Sequence, residues 1–92
     1  MPCTRQIRVR GRVQGVWFRA WTKQQATALG LDGWVCNCID GNVEALFAGP
    51  DEAVNALIVQ CRNGPTRAGV SAISYEQDEY PKESGFHVLS TS

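Results

Sequence analysis

A glycine-containing segment near the start of the chain has residue types suited to binding an anion. Gly11 and Gly15 lie between an alternating, strand-like segment and a helical one, and Arg19 follows where that helix begins. The backbone N–H groups of such a connection converge on one point, and the helix N-terminus adds about half a positive charge. The guanidinium of Arg19 offers a planar fork of donors that fits two oxygens of one phosphate group. The segment therefore predicts a phosphate-binding loop.

This loop matches neither of two common nucleotide-binding motifs. No Gly-Lys-Ser/Thr follows the glycines, and their spacing differs from G-x-G-x-x-G. A phosphate group without a nucleotide is therefore the predicted ligand. Glycines also occur in strand-to-helix connections that bind nothing, so the local pattern leaves a purely structural role for Gly11 and Gly15 open.

Hydrophobic periodicity predicts the elements that hold this loop. Residues alternate between apolar and polar from Gln6 to Val13, as in a half-buried strand, and helical spacing runs from Phe18 to Leu29. Gly30 is suited to end this helix in the left-handed conformation. The remaining predicted elements are strands at 34–38, 43–48, 70–76 and 86–89 and a second helix that opens at 49–52 and stops at 64–65.

The order of these elements indicates the fold class. Strand, helix, strand, strand, helix and strand, followed by a short extra C-terminal strand, is typical of an α+β ferredoxin-like βαββαβ sandwich. We expect an antiparallel sheet with two helices on one face. Ninety-two residues suffice for one hydrophobic core, so the prediction is a single domain over residues 1–92.

Composition and charge narrow the class of protein. The chain is 43% hydrophobic with a formal net charge of +0, which is typical of an ordinary globular domain and argues against a dedicated nucleic-acid binder. No apolar run has membrane-spanning length, and the first residues lack the apolar stretch of a signal peptide. We therefore expect a cytoplasmic monomer with neither a membrane nor a nucleic-acid partner.

The arginines and cysteines add two further expectations. Five of the nine cationic residues lie in the first nineteen positions, where an anion would bind: Arg5, Arg8, Arg10, Arg12 and Arg19. For Arg8, Arg10 and Arg12, a solvated strand face is the commoner explanation and local enrichment of anions is the alternative. The four cysteines are expected to be reduced thiols, because a chain without a signal peptide meets a reducing compartment. Cys36 and Cys38 form a C-x-C pair rather than the C-x-x-C of zinc sites, so no metal site is predicted.

A longer, ordered set of residues resembles the two signature blocks of the acylphosphatase family. The first block runs from Gly11 to Arg19, and the second comprises Gly33-Trp34-Val35, Asn37 and residues 40–44. The resemblance implies hydrolysis of the carboxyl–phosphate bond of a small-molecule acyl phosphate to a carboxylate and inorganic phosphate, with no metal and no cofactor.

The resemblance also implies roles for particular residues. Arg19 is similar to the family's catalytic, phosphate-binding arginine, and Asn37 to the asparagine that positions the attacking water. The backbone of the first loop would hold the phosphate through Gln14, Gly15, Val16, Trp17 and Phe18. Trp17 stands where the family more often has a smaller residue, and its effect on the acyl side of the site stays open.

Three alternatives accompany these predictions. Without the resemblance, Asn37 also suits a strand end that satisfies the turn before Asp40-Gly41. A second alternative is that this chain is an acylphosphatase-like module of the kind that occurs in the much longer carbamoyltransferases that mature hydrogenases. Ferredoxin-like sheets also serve as RNA-recognition domains, but the aromatic strand motif of that class is absent and residues 42–47 contain one aromatic side chain.

Overall fold

The computed structural model describes residues 2–91, so Met1 and Ser92, the two ends of the predicted 1–92 domain, lie outside it. The elements are β1 (Pro2–Arg12), α1 (Phe18–Ala28), β2 (Asp32–Asn37), β3 (Val43–Pro50), α2 (Asp51–Cys61), β4 (Gly69–Gln77) and β5 (Phe86–Val88). Each predicted element is present. The first strand begins earlier than its alternation indicates because Pro2 to Arg5 pair with residues 47–50 of β3.

The strands form one sheet in the order β4-β1-β3-β2-β5. Strand β1 is antiparallel to β3 and to β4, and β2 is antiparallel to β3, as expected. The short extra strand β5 pairs in parallel with β2, which makes the complete sheet mixed. The strand directions explain this parallel pairing. Strand β4 ends at the end of the sheet where β2 begins, and residues 78–85 run across that end. Strand β5 therefore starts beside the start of β2 and runs in the same direction.

Asp32, the first residue of β2, binds the segment of residues 78–85 through its side chain. Its carboxylate accepts hydrogen bonds from the Tyr80 hydroxyl and from the backbone N–H of Gly85, both at 2.8 Å. The Gly85 bond and then the Tyr80 bond lower the pKa of Asp32. These bonds fix the point at which β5 joins the sheet.

Both helices pack on one face of the sheet, where the core lies. The largest fully buried side chains are Phe18, Phe47, Ile7, Leu57, Val9, Val13, Val35, Val43, Val54, Thr22 and Cys61. Alternation along each strand places Ile7, Val9 and Val35 toward the helices and leaves the opposite sheet face to residues such as Arg8 and Glu44. No helix in the part of the chain that the structure describes is long and apolar enough to span a membrane.

Strands β1, β2 and β5 run in the same direction, because β1 and β2 are both antiparallel to β3 and β5 is parallel to β2. Their carboxyl ends therefore meet at one edge of the sheet, and α1 begins at that edge. Residues that lie far apart in sequence converge there, and this edge carries the candidate site.

Candidate active site

The predicted loop leaves the sheet at a β-bulge. The pairing of β1 with β4 shifts register between Arg10 and Gly11. Gly11 has φ 121°, and a Cβ at this position would collide with the carbonyl oxygen of Gly69. Glycine is therefore required here by both conformation and space. A bulge bends its strand and increases the local twist, which directs the chain away from β4 and into the loop.

Three side chains in and beside the loop are buried in the core. Val13, Val16 and Phe18 are buried, whereas Gly15 and Trp17 lie at the surface. Gly15 and Trp17 both have left-handed backbone conformations, with φ 72° and φ 71°. Among residues 2–91, Trp17 is the only non-glycine residue with positive φ. The buried anchors fix the loop backbone between a rigid strand and a rigid helix.

The N-terminus of α1 is left open to an external anion. Its N-cap residue is Trp17, which makes no side-chain capping hydrogen bond, and its first turn contains no acidic residue. Helix α2 differs, since Asp51 and Glu52 occupy its first turn. The first-turn N–H groups of a helix lack partners within the helix, so those of α1 can bind an anionic group.

Arg19 and Asn37 lie in one cavity of about 430 Å³ at this edge of the sheet. The cavity is lined by Val13, Gly15, Trp17, Phe18, Arg19, Ala20, Asn37 and Val88. Both polar side chains are half-buried, and within residues 2–91 neither is held by a side-chain hydrogen bond or an ion pair. No carboxylate lines the cavity. The guanidinium and the amide are therefore available to a ligand.

Two residues of the predicted phosphate loop do not line this cavity with their side chains. Val16 is buried beneath the loop. The side chain of Gln14 turns toward the β2–β3 connection, where Nε2 donates to the carbonyl oxygens of Cys38 at 2.8 Å and Asn42 at 2.9 Å. Only the backbone of these two residues can serve a bound phosphate, as the family resemblance implies.

The Gln14 amide joins the two parts of the site. Cys38 directly follows Asn37, so the bond to Cys38 ties the loop to the strand that carries Asn37. Sequence reasoning missed this side-chain role, because a glutamine in a loop produces no periodicity or spacing that marks it. It also missed Val88, which enters the site only because β5 pairs in parallel with β2.

Gln14→Ala is expected to lower kcat for acyl phosphate hydrolysis, the activity that the resemblance implies, by roughly tenfold to a hundredfold, because it lets Asn37 and the loop shift relative to each other. The fold should survive. Cys38 O also accepts from the N–H of Gly41, and Asn42 O from the N–H of Cys38, so the turn keeps its own hydrogen bonds. Steady-state kinetics and circular dichroism measure both effects. Gln60→Ala, on the exposed face of α2, is the matched control. An unchanged kcat in Gln14→Ala would contradict the role.

Arg8, one of the five N-terminal arginines, lies away from the cavity that holds Arg19. Arg8 lies on the helix-free sheet face, where it contacts Asp40 at 3.1 Å and Glu44 at 3.1 Å. Gln6 donates to the same Glu44 carboxylate at 2.8 Å. Arg8 thus braces the β2–β3 connection from the helix-free face of the sheet. Its acidic partners lie too far along the chain for local patterning to identify them.

Cys36 and Cys38, the two cysteines beside Asn37, lie on the opposite face of the sheet and are buried. Cys38 Sγ donates to Glu44 Oε1 at 3.1 Å. Burial first, and then the hydrogen bond and the charge of Glu44, raise the pKa of Cys38 to about 12. A thiol with that pKa is protonated at neutral pH and is not a nucleophile there. Within residues 2–91, no group of three or more His, Cys, Asp or Glu side chains could hold a metal ion.

Fold and site together define a small α+β protein of the ferredoxin-like class, with a cavity beside the loop between β1 and α1. A model of the acylphosphatase family matches residues 5–88. The acylphosphatase of Rhizorhabdus wittichii is 51% identical over 82 residues, which cover 89% of this chain and 83% of that one. The acylphosphatase structure from Coxiella burnetii has a TM-score of 0.91 at 33% identity, over 96% of this chain and 93% of that one.

This chain belongs to the acylphosphatase family: it is a hydrolase that acts on acyl phosphates and releases phosphate. The resemblance seen in the two motif blocks is thereby confirmed, as is the ferredoxin-like fold. Full-length HypF also contains a segment of this fold, with a TM-score of 0.90 at 25% identity over 99% of this chain but 12% of HypF. The same fold thus also occurs as part of a much longer protein.

Proposed function

We propose that this acylphosphatase holds the phosphoryl group of its substrate with the backbone of residues 14–18 and the guanidinium of Arg19, and that Asn37 positions the attacking water. One observation carries the proposal: Arg19 and Asn37 line the same cavity as the uncapped N-terminus of α1. All three are groups that recognise a phosphoryl group or a water molecule beside it.

The phosphoryl group fits this environment electrostatically. Its oxygens accept from the loop N–H groups, from the first turn of α1 and from the fork of Arg19. Val13, Phe18 and Val88 contribute apolar walls, which strengthen each of these charged hydrogen bonds by excluding water. Because the donors are fixed by the buried anchors of the loop, they require little reorganisation as charge moves in the transition state.

In the proposed reaction, the water oxygen attacks phosphorus while the bond between phosphorus and the acyl oxygen breaks. The electron pair of that bond leaves with the carboxylate, and one water proton passes to a phosphate oxygen. Asn37 accepts a hydrogen bond from the water through its Oδ1 and can donate through its Nδ2, which orients the nucleophile. A carboxylate is a good leaving group, so a covalent intermediate is not required.

Further proposals concern the protein as a whole. The positive charge that the reaction needs comes from Arg19 and the backbone N–H groups, so we propose hydrolysis without a metal or another cofactor. We also propose a monomer acting as one domain over residues 1–92, because the loop, Arg19 and Asn37 that the proposed reaction uses all belong to the same fold. We further propose a cytoplasmic location without a membrane partner, and the balanced charge of the chain supports the absence of a nucleic-acid partner.

Hydrolysis of benzoyl phosphate in excess EDTA tests this function. We expect the rate to match that measured without EDTA, and inorganic phosphate to raise the apparent KM without lowering kcat, because product and substrate compete for the same loop. A rate that falls in EDTA and returns on addition of a divalent metal would contradict the metal-free mechanism. Phosphate inhibition that lowers kcat alone would contradict phosphate binding at this site.

A further inference from the structure

The β2–β3 connection, residues 38–42, directly follows Asn37 and extends beyond the paired part of the sheet. The pairing of β2 with β3 ends at Asn37 and Val43, and the pairing of β1 with β3 ends at Val9 and Val43. The strand ladders therefore stop before the connection begins. Side-chain contacts supply the ties between this connection and the segment that contains β1 and the phosphate loop.

Hydrogen bonds within the β2–β3 connection fix its shape. The backbone N–H of Cys38 donates to the carbonyl oxygen of Asn42 at 2.8 Å, and that of Gly41 donates to the carbonyl oxygen of Cys38 at 3.1 Å. The Asp40 carboxylate accepts from the backbone N–H of Asn42 at 3.0 Å and from its side-chain amide at 3.2 Å. Because these bonds join residues of the connection to one another, they do not fix its position relative to the phosphate loop.

Two side chains bind the β2–β3 connection from outside, one from the loop and one from β1. Gln14 donates to the carbonyl oxygens of Cys38 and Asn42. Arg8, on the helix-free face of the sheet, donates through Nη1 to Asp40 Oδ2 at 3.1 Å. Asp40 in turn binds Asn42, whose carbonyl oxygen accepts from Gln14. A continuous path of hydrogen bonds thus runs from the Arg8 guanidinium to the Gln14 amide.

The second branch of the Arg8 fork is held by Glu44. Arg8 Nη2 lies 3.1 Å from Glu44 Oε1, and the two residues are directly opposite each other in the pairing of β1 with β3. Gln6 donates to the other oxygen of this carboxylate at 2.8 Å, and Cys38 Sγ donates to Oε1 at 3.1 Å. The Glu44 side chain is 20% exposed, against 53% for Asp40, so Glu44 is the more fixed of the two partners. Because the guanidinium is planar, its bond to Glu44 orients the branch that reaches Asp40.

We propose that Arg8 is a positioning residue for acyl phosphate hydrolysis. Through Asp40 it holds the β2–β3 connection where its carbonyl groups meet the Gln14 amide, and so keeps Asn37 in place relative to the phosphate loop. Arg8 acts from the sheet face opposite Asn37 and does not touch the substrate. The inference rests on the proposed function, in which the position of Asn37 matters. A displacement of about 1 Å can lower a rate about a hundredfold, so a small shift of the connection is sufficient.

Arg8→Gln tests this role, because it removes the charge and the fork and keeps a polar side chain. We expect kcat for benzoyl phosphate to fall about tenfold, while the inhibition constant of inorganic phosphate changes by less than about twofold, since Arg19 and the loop backbone are untouched. A loss of folded protein would lower the active fraction instead, and urea unfolding measures that fraction. Arg8→Lys keeps a charge that can reach one carboxylate, and should recover part of kcat.

A second background shows whether the path through the β2–β3 connection transmits the effect. In a Gln14→Ala enzyme the connection is no longer bound to the loop, so adding Arg8→Gln should lower kcat by less than about twofold. Two losses that multiply independently would overturn the proposed path. Arg10→Gln is the matched control: Arg10 is an exposed arginine on the same strand and the same sheet face, and its loss should change kcat by less than about twofold.

The failure of this inference can be distinguished from the failure of the proposed function. An Arg8→Gln enzyme with the kcat of the wild type, beside an impaired Asn37→Ala enzyme, would overturn only the positioning role of Arg8. An Asn37→Ala enzyme as active as the wild type would overturn the proposed role of Asn37 itself.

Discussion

Replacing Arg19 by alanine is expected to lower kcat for acyl phosphate hydrolysis by a factor of about one hundred to one thousand, because its proposed role is that of a preorganised donor to developing charge. The KM should also rise, because in the proposed mechanism the guanidinium contacts the phosphoryl oxygens before and during the reaction. Within residues 2–91 the side chain of Arg19 has no ion pair or hydrogen bond to lose, so the fold should be unaffected. Steady-state kinetics with benzoyl phosphate gives kcat and KM, and circular dichroism reports on the fold.

Two further variants separate the fork of Arg19 from its charge. Arg19→Lys keeps a positive charge but loses the planar pair of donors, so its kcat should lie between those of the wild type and Arg19→Ala. Arg10→Ala removes an exposed arginine of the same N-terminal cluster and is expected to change kcat by less than about twofold. If Arg10→Ala and Arg19→Ala had equal effects, general charge rather than a specific contact would explain the loss.

Replacing Asn37 by alanine is expected to lower kcat by about a hundredfold while leaving the binding of inorganic phosphate nearly unchanged. The reason is that, in the proposed mechanism, Asn37 contacts the water and not the phosphoryl group. This separation of kcat from phosphate affinity distinguishes Asn37 from Arg19, whose loss should weaken both. Inhibition by phosphate, measured in the same assay, gives the affinity.

The stability of the Asn37 variant should be close to that of the wild type. Its backbone keeps the pairing with Val43, and its side chain makes no hydrogen bond to another described residue. Asn55→Ala, on the exposed face of α2, is the matched control for loss of an asparagine. Asn37→Asp should be at least as impaired as Asn37→Ala, because a carboxylate repels the substrate. An active Asn37→Ala enzyme would assign this residue to the turn rather than to the reaction.

The parts of the site that could be predicted are those encoded by contiguous residues. The loop from Gly11 to Arg19 and the segment around Asn37 each have a recognisable order of residue types, and the alternation before the loop marks β1. The periodicity of buried side chains also predicts both helices with ends close to those observed. The pattern of residue types within one segment is enough to predict these elements, because packing within that segment produces the pattern.

The parts that could not be predicted depend on contacts between distant segments. Val88 reaches the site because residues 78–85 cross one edge of the sheet, and that polar segment has no periodicity to indicate its path. The Gln14 amide binds two carbonyl groups, which every residue possesses, so no sequence signal marks its partners. Arg8 is similar, since its partners Asp40 and Glu44 are identified only by the pairing of β1 with β3.

We expect the pairing of β1 with β4 at the bulge to form late in folding and the phosphate loop to become fixed only then. Arg12, at the base of the phosphate loop, pairs with Gly69, which lies most of the chain away. Contacts of such long sequence separation form slowly, because a large loop must close before they are gained. A partly folded chain that already contains β1, α1 and the β2–β3 hairpin therefore still lacks a fixed phosphate site. Phosphate, as a ligand of the completed site in the proposed function, is therefore expected to slow unfolding without accelerating the early steps of folding.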